Sequence, residues 1–89
     1  MNIHQQALTK FGEQKQKDML IEEMSELTQA LLKDRRGRES NISEEIADVQ
    51  IVLDQIKILH PDWISWEQVK LKRLDELLTP PQRMGDKEG

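Results

Sequence analysis

Apolar residues recur every three to four positions along most of this chain, and nowhere do they alternate with polar ones over a strand's length. That period belongs to helices. The spacing predicts a short helix over 3–10, interrupted at Gly12, and a long helix over about 13–35 that Gly37 closes as a C-terminal glycine. A polar connection, Arg35-Arg36-Gly37-Arg38-Glu39-Ser40, follows. Ser40 or Asn41 is placed to cap the next helix, and Asn41 with Glu44 three residues on has the form of a capping box. That helix runs to about 59, where His60-Pro61 stops it. Ser65 with Gln68 repeats the capping pattern for a last helix ending near 78, and Thr79-Pro80-Pro81 ends it. The two long helices share a short connection, so they are expected to pack antiparallel. The predicted fold is all-α: a small helical bundle of two long antiparallel helices, a short N-terminal helix and a C-terminal helix. Residues 1–80 form one domain and 81–89 a flexible tail.

Rotating by about 100° per residue sorts the faces. On the first long helix, Leu20, Met24, Leu27 and Leu31 form the expected core stripe. Met19 and Ala30 lie on one flank of it, interleaved with Glu23 and Glu26, while Glu22 points further toward water. The second long helix carries a broader apolar face of Ile42, Ile46, Val49, Leu53 and Ile56, widened by Val52 and Leu59. Glu45 falls inside that arc with Asp48 at its edge, and Ile51 and Ile58 form a further strip on the opposite side. A helix apolar on several faces needs more cover than so short a chain provides, so self-association is expected.

Composition narrows the picture. The chain has 89 residues, 36% hydrophobic and 34% charged, with no cysteine. At this size about 60% of the unfolded surface is buried on folding. Without disulfides or thiolate metal sites, help from a partner subunit or an ion is plausible. The formal net charge of −4 argues against a nucleic-acid partner, which calls for a basic face. No apolar run reaches the roughly 20 residues a bilayer requires, and the N-terminus lacks the pattern of a secretory signal. A cytoplasmic protein is the expectation.

The chemistry-bearing feature is a pair of acidic pairs. Glu23 and Glu26 are three apart and share a helix face, and Glu45 and Asp48 repeat the spacing. If the two helices face each other, four carboxylates converge. Four anions in a partly apolar setting repel and are costly to desolvate. A divalent cation that prefers oxygen ligands neutralises them. With no histidine in the set, Mg²⁺ or Mn²⁺ fits better than zinc, and the Glu-x-x-His pattern of di-iron bundles is absent. Acidic pairs of this spacing are also common on solvated helix faces, and that reading stands beside the first.

Residues 21–33, IEEMSELTQALLK, followed by residues 43–59, SEEIADVQIVLDQIKIL, resemble the MazG-like all-α nucleoside triphosphate pyrophosphohydrolases, particularly their small phage and bacterial members. The family pattern EExxE, a spacer, then ExxD is matched by Glu22-Glu23-Met24-Ser25-Glu26 and by Glu45-Ile46-Ala47-Asp48, within a likeness covering about residues 11–78. The resemblance implies cleavage of a nucleoside triphosphate between its α and β phosphates. It implies Glu23, Glu26, Glu45 and Asp48 as metal ligands, and assembly as a homodimer or homotetramer. Glu22 and Glu44 are candidates to orient or deprotonate the attacking water or to hold a second ion, and a solvated helix position is the other reading for each. Lys33, Arg35, Arg36 and Arg38 after the first long helix, and Lys70, Lys72 and Arg73 on the last, could bind the triphosphate; Lys33, Arg36, Lys70 and Arg73 are the candidates retained. Many relatives carry a basic residue near the end of the last helix, where this chain has Glu76-Leu77. Trp63 and Trp66 could stack on a base and Gln14 and Gln16 could read its edge, although packing and solvent exposure are the commoner roles. The alternatives to a hydrolase are a non-catalytic helical interaction module and a nucleotide-binding regulatory protein on the same scaffold.

Overall fold

A computed structural model describes residues 1–79. They form four helices, α1 (Ile3–Phe11), α2 (Glu13–Arg35), α3 (Ile42–Leu59) and α4 (Trp63–Leu78), with no strand among the described residues. The expected tail over 81–89 lies outside the described residues. None of these helices is long and apolar enough to cross a membrane.

Local chemistry explains the boundaries. Asn2 and Gln5 form a reciprocal capping box at the start of α1, each side chain accepting from the other's backbone N–H at 2.9 Å. Gly12 then serves two helices. Its N–H donates to the Leu8 carbonyl and closes α1, while its own carbonyl accepts from Gln16 N–H and opens α2. It does so at φ 92°, ψ 155°, a region that essentially only glycine occupies. We predict that Gly12→Ala costs about 1–3 kcal/mol in a urea melt. The cause is backbone strain, because a Cβ there meets nothing within 4 Å. An unchanged midpoint would show that the junction has another conformation in solution.

Gly37, at φ 74°, closes α2 as its position in the sequence predicts. Arg38 N–H donates to Lys33 O and Gly37 N–H to Asp34 O, both at 2.9 Å. This is the paired bonding of a Schellman turn. Two expected caps do not form. Asn41 does precede α3, but its side chain makes no cap bond to the backbone; the amide nitrogen donates instead to the carboxylates of Glu44 and Glu45. The last helix begins at Trp63, before the Ser65–Gln68 pattern, with Asp62 at the cap position and no side-chain cap bond. Pro61 already provides the break, so Ser65 falls inside the first turn.

α2 and α3 pack antiparallel, and α1 folds across both, with its His4 Nε2 3.9 Å from Asp54 Oδ2 on α3. The interior of this body departs from the expected stripe. Met24 and Leu31 of α2 and Ile46 of α3 are about half exposed. The buried residues among those described are Ala30, Val52, Gln16, Gln55 and Glu45, three of the five polar. Helix α2 is thus turned so that the flank carrying Gln16, Glu23 and Ala30 faces α3. Helix α4 buries no residue and touches the rest of the chain sparingly. Its start is tied to α3 by Lys57, whose Nζ lies 4.3 Å from the centre of the Trp63 ring.

Candidate metal centre

The seam between α2 and α3 brings acidic side chains together. Glu23 comes from the middle of α2, and Glu45 and Asp48 from the first turns of α3. One carboxylate oxygen from each can be chosen so that all three lie within 4.8 Å of one another. Spacing and topology together produce this: Glu45 and Asp48 are three apart and share a face, and the antiparallel packing sets Glu23 against that face. Glu26, the fourth expected ligand, stands beside Glu23 but outside this mutually close set, and it is exposed.

Electrostatics makes the cluster costly as it stands. Among the described residues, the lysine ion pair is Lys57 with Asp54, whose other carboxylate oxygen lies 3.9 Å from His4 Nε2. Among those residues, no lysine or arginine nitrogen pairs with Glu23, Glu26, Glu45 or Asp48. Glu45 is only 8% exposed. Its Oε1 accepts a 2.8 Å hydrogen bond from Asn41 Nδ2, and its Oε2 is buried with no partner. Glu23 Oε2 is likewise buried and unpartnered. Buried carboxylate oxygens normally find donors, so two orphans in one cluster mark a place where a cation fits. The donor set is all oxygen, which suits Mg²⁺ or Mn²⁺.

The Glu23 carboxyl is held above its usual value of 4.5, first by burial, then by the charges of Glu26, Asp48 and Glu45, and last by a hydrogen bond shared with Glu26, available only when one of the two is protonated. The consequence for stability has a definite sign. Protons bind the folded state more tightly than the unfolded one, so this contribution is fully present below the ordinary value of 4.5. It is lost as pH rises through the folded one. Without metal, the melting midpoint is therefore expected to fall across that window, and Glu23→Gln to flatten the fall. An identical profile for the variant would remove Glu23 as the cause.

The remaining candidates are placed as follows. Glu22 and Glu44 are exposed neighbours of the cluster in sequence, and Glu44 accepts from Asn41 Nδ2 at 3.1 Å. Lys33 and Arg36 are exposed at the far end of α2, about three helical turns beyond Glu23. Lys70 and Arg73 are exposed on α4, away from the α2–α3 seam in their own chain. Trp66 is exposed, whereas Trp63 is half-buried beneath Lys57. Gln14 is exposed and bonds Asp18, but Gln16 is buried against Gln55 and not free to read a base. Sequence reasoning missed Asn41 as a partner of Glu45; the four-residue spacing on one helix end was the available signal. No protein-family model, no curated protein and no solved structure matches this chain.

Proposed function

We propose that this chain is a Mg²⁺-dependent nucleoside triphosphate pyrophosphohydrolase of the MazG-like type, which converts a (d)NTP to the monophosphate and pyrophosphate. The observation that carries the reading is the set Glu23, Glu45 and Asp48 within 4.8 Å, with two buried carboxylate oxygens lacking any donor. The EExxE and ExxD patterns give that set its place in a known arrangement of residues.

Glu23, Glu45 and Asp48 would hold the ion, with Glu26 at its edge. When bound, Mg²⁺ polarises phosphoryl oxygens and makes a coordinated water more acidic. The chain's own residues do the rest. Asn41 pins one oxygen of Glu45 and leaves the other free to face the cation. Glu22 or Glu44, at the exposed rim, accepts the proton of the attacking water on a carboxylate oxygen. The water oxygen bonds to the α-phosphorus as the bond from that phosphorus to the α–β bridging oxygen breaks, and pyrophosphate leaves with the bridging oxygen. Lys33, Arg36, Lys70 and Arg73 supply positive charge for the triphosphate, which lowers the barrier by positioning and neutralisation.

A second copy belongs to this reading, as a homodimer or homotetramer. Among the described residues, one chain encloses no pocket. Ile64, Leu71, Leu74 and Leu78 form a helical stripe on α4 that is 48–72% exposed. A helix of this length is marginal in water without packing. Docked on a second copy, α4 buries that stripe and can carry Lys70 and Arg73 toward a seam they do not reach in their own chain. The same stripe is what a purely helical interaction module would use, and catalysis separates the two readings. The test is pyrophosphate release from a panel of NTPs and dNTPs with and without Mg²⁺. Metal-dependent release from one or more of them supports the hydrolase; none at any concentration of enzyme rejects it.

A further inference from the structure

The α2–α3 seam contains a second polar contact, separate from the carboxylates. Gln16 Nε2 donates to Gln55 Oε1 at 2.6 Å, and both side chains are buried, 6% and 5% exposed. Neither residue belongs to the acidic patterns. We infer that this amide pair is a register lock: it sets how far α2 slides along α3 and so holds Glu23 opposite Asp48.

The argument is geometric. Glu23 lies seven residues after Gln16 on α2, and Asp48 lies seven residues before Gln55 on α3. Because the helices are antiparallel, one register sets both pairs face to face, two turns or about 10.5 Å apart. The side chains between and around them include Leu20, Leu27, Val49 and Val52. Aliphatic side chains of similar size tolerate a slip of one turn, because a leucine finds another leucine or valine. The glutamines do not. A slip strands two buried amides among apolar neighbours, and an unpartnered buried amide is expensive. The same slip carries Glu23 about 5.4 Å along the axis, away from Asp48 and Glu45. Single buried polar contacts are known to specify helix register in this way, at some expense of stability. Gln16 and Gln55 are therefore positioning residues. Their effect on function rests on the metal reading above, but their effect on register does not.

The test separates the two. The chain has no cysteine, so spin labels can be attached at Gln29→Cys on α2 and Ala47→Cys on α3, both exposed positions. In this background both glutamines are replaced by leucine (Gln16→Leu with Gln55→Leu), which removes both partners at once and should leave the melting midpoint equal or higher. The methionine pair, unbranched and of glutamine's length, serves if the leucine pair does not fold. Electron–electron distance measurements without metal should show one sharp population in the parent. In the apolar pair they should show a broadened one, or a second displaced by several ångströms. In parallel, Mn²⁺ affinity should fall about 10-fold or more in the apolar pair, the scale of lost outer support for a metal site. An unchanged, single distance in a folded variant overturns the lock. A parent that binds no Mn²⁺ sinks the metal reading instead, and the distances alone then decide the register.

Discussion

Glu45→Gln should abolish the stabilisation of this protein by Mg²⁺ and lower metal-dependent pyrophosphate release by about 100-fold or more. Glu45 is the most buried member of the cluster, and it keeps one oxygen free of any donor. Glutamine preserves its size but removes the charge, and turns half of its head group into a donor that repels a cation. For the parent, an ion at 100 times its dissociation constant adds about 2.7 kcal/mol. In a domain of this size that corresponds to a rise of roughly 10–20 °C in the midpoint. The metal-free variant should melt no lower than the metal-free parent, because the substitution relieves repulsion within the cluster. That combination, no stability lost without metal and none gained with it, is specific to a ligand and not to a packing residue. A parent insensitive to millimolar Mg²⁺ and Mn²⁺ would leave the carboxylates as strained surface charge. A persistent rise in the variant would transfer the site to other residues.

Leu74→Glu should dissociate the proposed assembly. Leu74 lies within the exposed stripe of α4 and is 48% exposed in the single chain. Burying a leucine side chain contributes about 1.5–3 kcal/mol. In a two-fold interface the change is made twice, so the dissociation constant should rise by about 10²–10⁴. Sedimentation at micromolar concentration should show monomers where the parent shows dimers or tetramers. Helical circular dichroism should fall as well, since α4 alone is too short to hold its structure. An unaltered assembly would exclude this face of α4 from the interface.

The two substitutions test different levels of the same molecule. Glu45→Gln acts on a cluster contained within one chain. Leu74→Glu acts on a helix that finds no support there. If Lys70 and Arg73 reach the triphosphate from a second copy, Leu74→Glu should also reduce turnover while leaving Mn²⁺ binding to the monomer intact. Glu45→Gln should lose both.

Several features were readable from residue order alone. Helices α2 and α3 lie where the periodicity and the breaks at Gly12, Gly37 and His60-Pro61 put them, because termini are governed by local backbone chemistry. The meeting of Glu23 with Glu45 and Asp48 was also legible. A three-residue spacing fixes a common face, and a short connection makes neighbouring helices antiparallel. Other features were not. Angular position on a helix ranks residues around its axis, but it does not say which side a neighbour will cover. Met24 and Leu31 therefore looked like core and are half exposed, while Gln16 looked solvated and is buried. Asn41 looked like a cap and instead holds Glu45, because the competition between backbone and carboxylate is settled only once α3 exists.

Residue order thus determined the helices, their sense and the chemical character of the acidic seam, all of which follow from interactions between residues close along the chain. The rotation of α2 against α3, the pairing of Gln16 with Gln55 and the isolation of Glu45 Oε2 emerged only on packing. They depend on which distant surfaces meet and at what offset, and no spacing within a single helix encodes that offset.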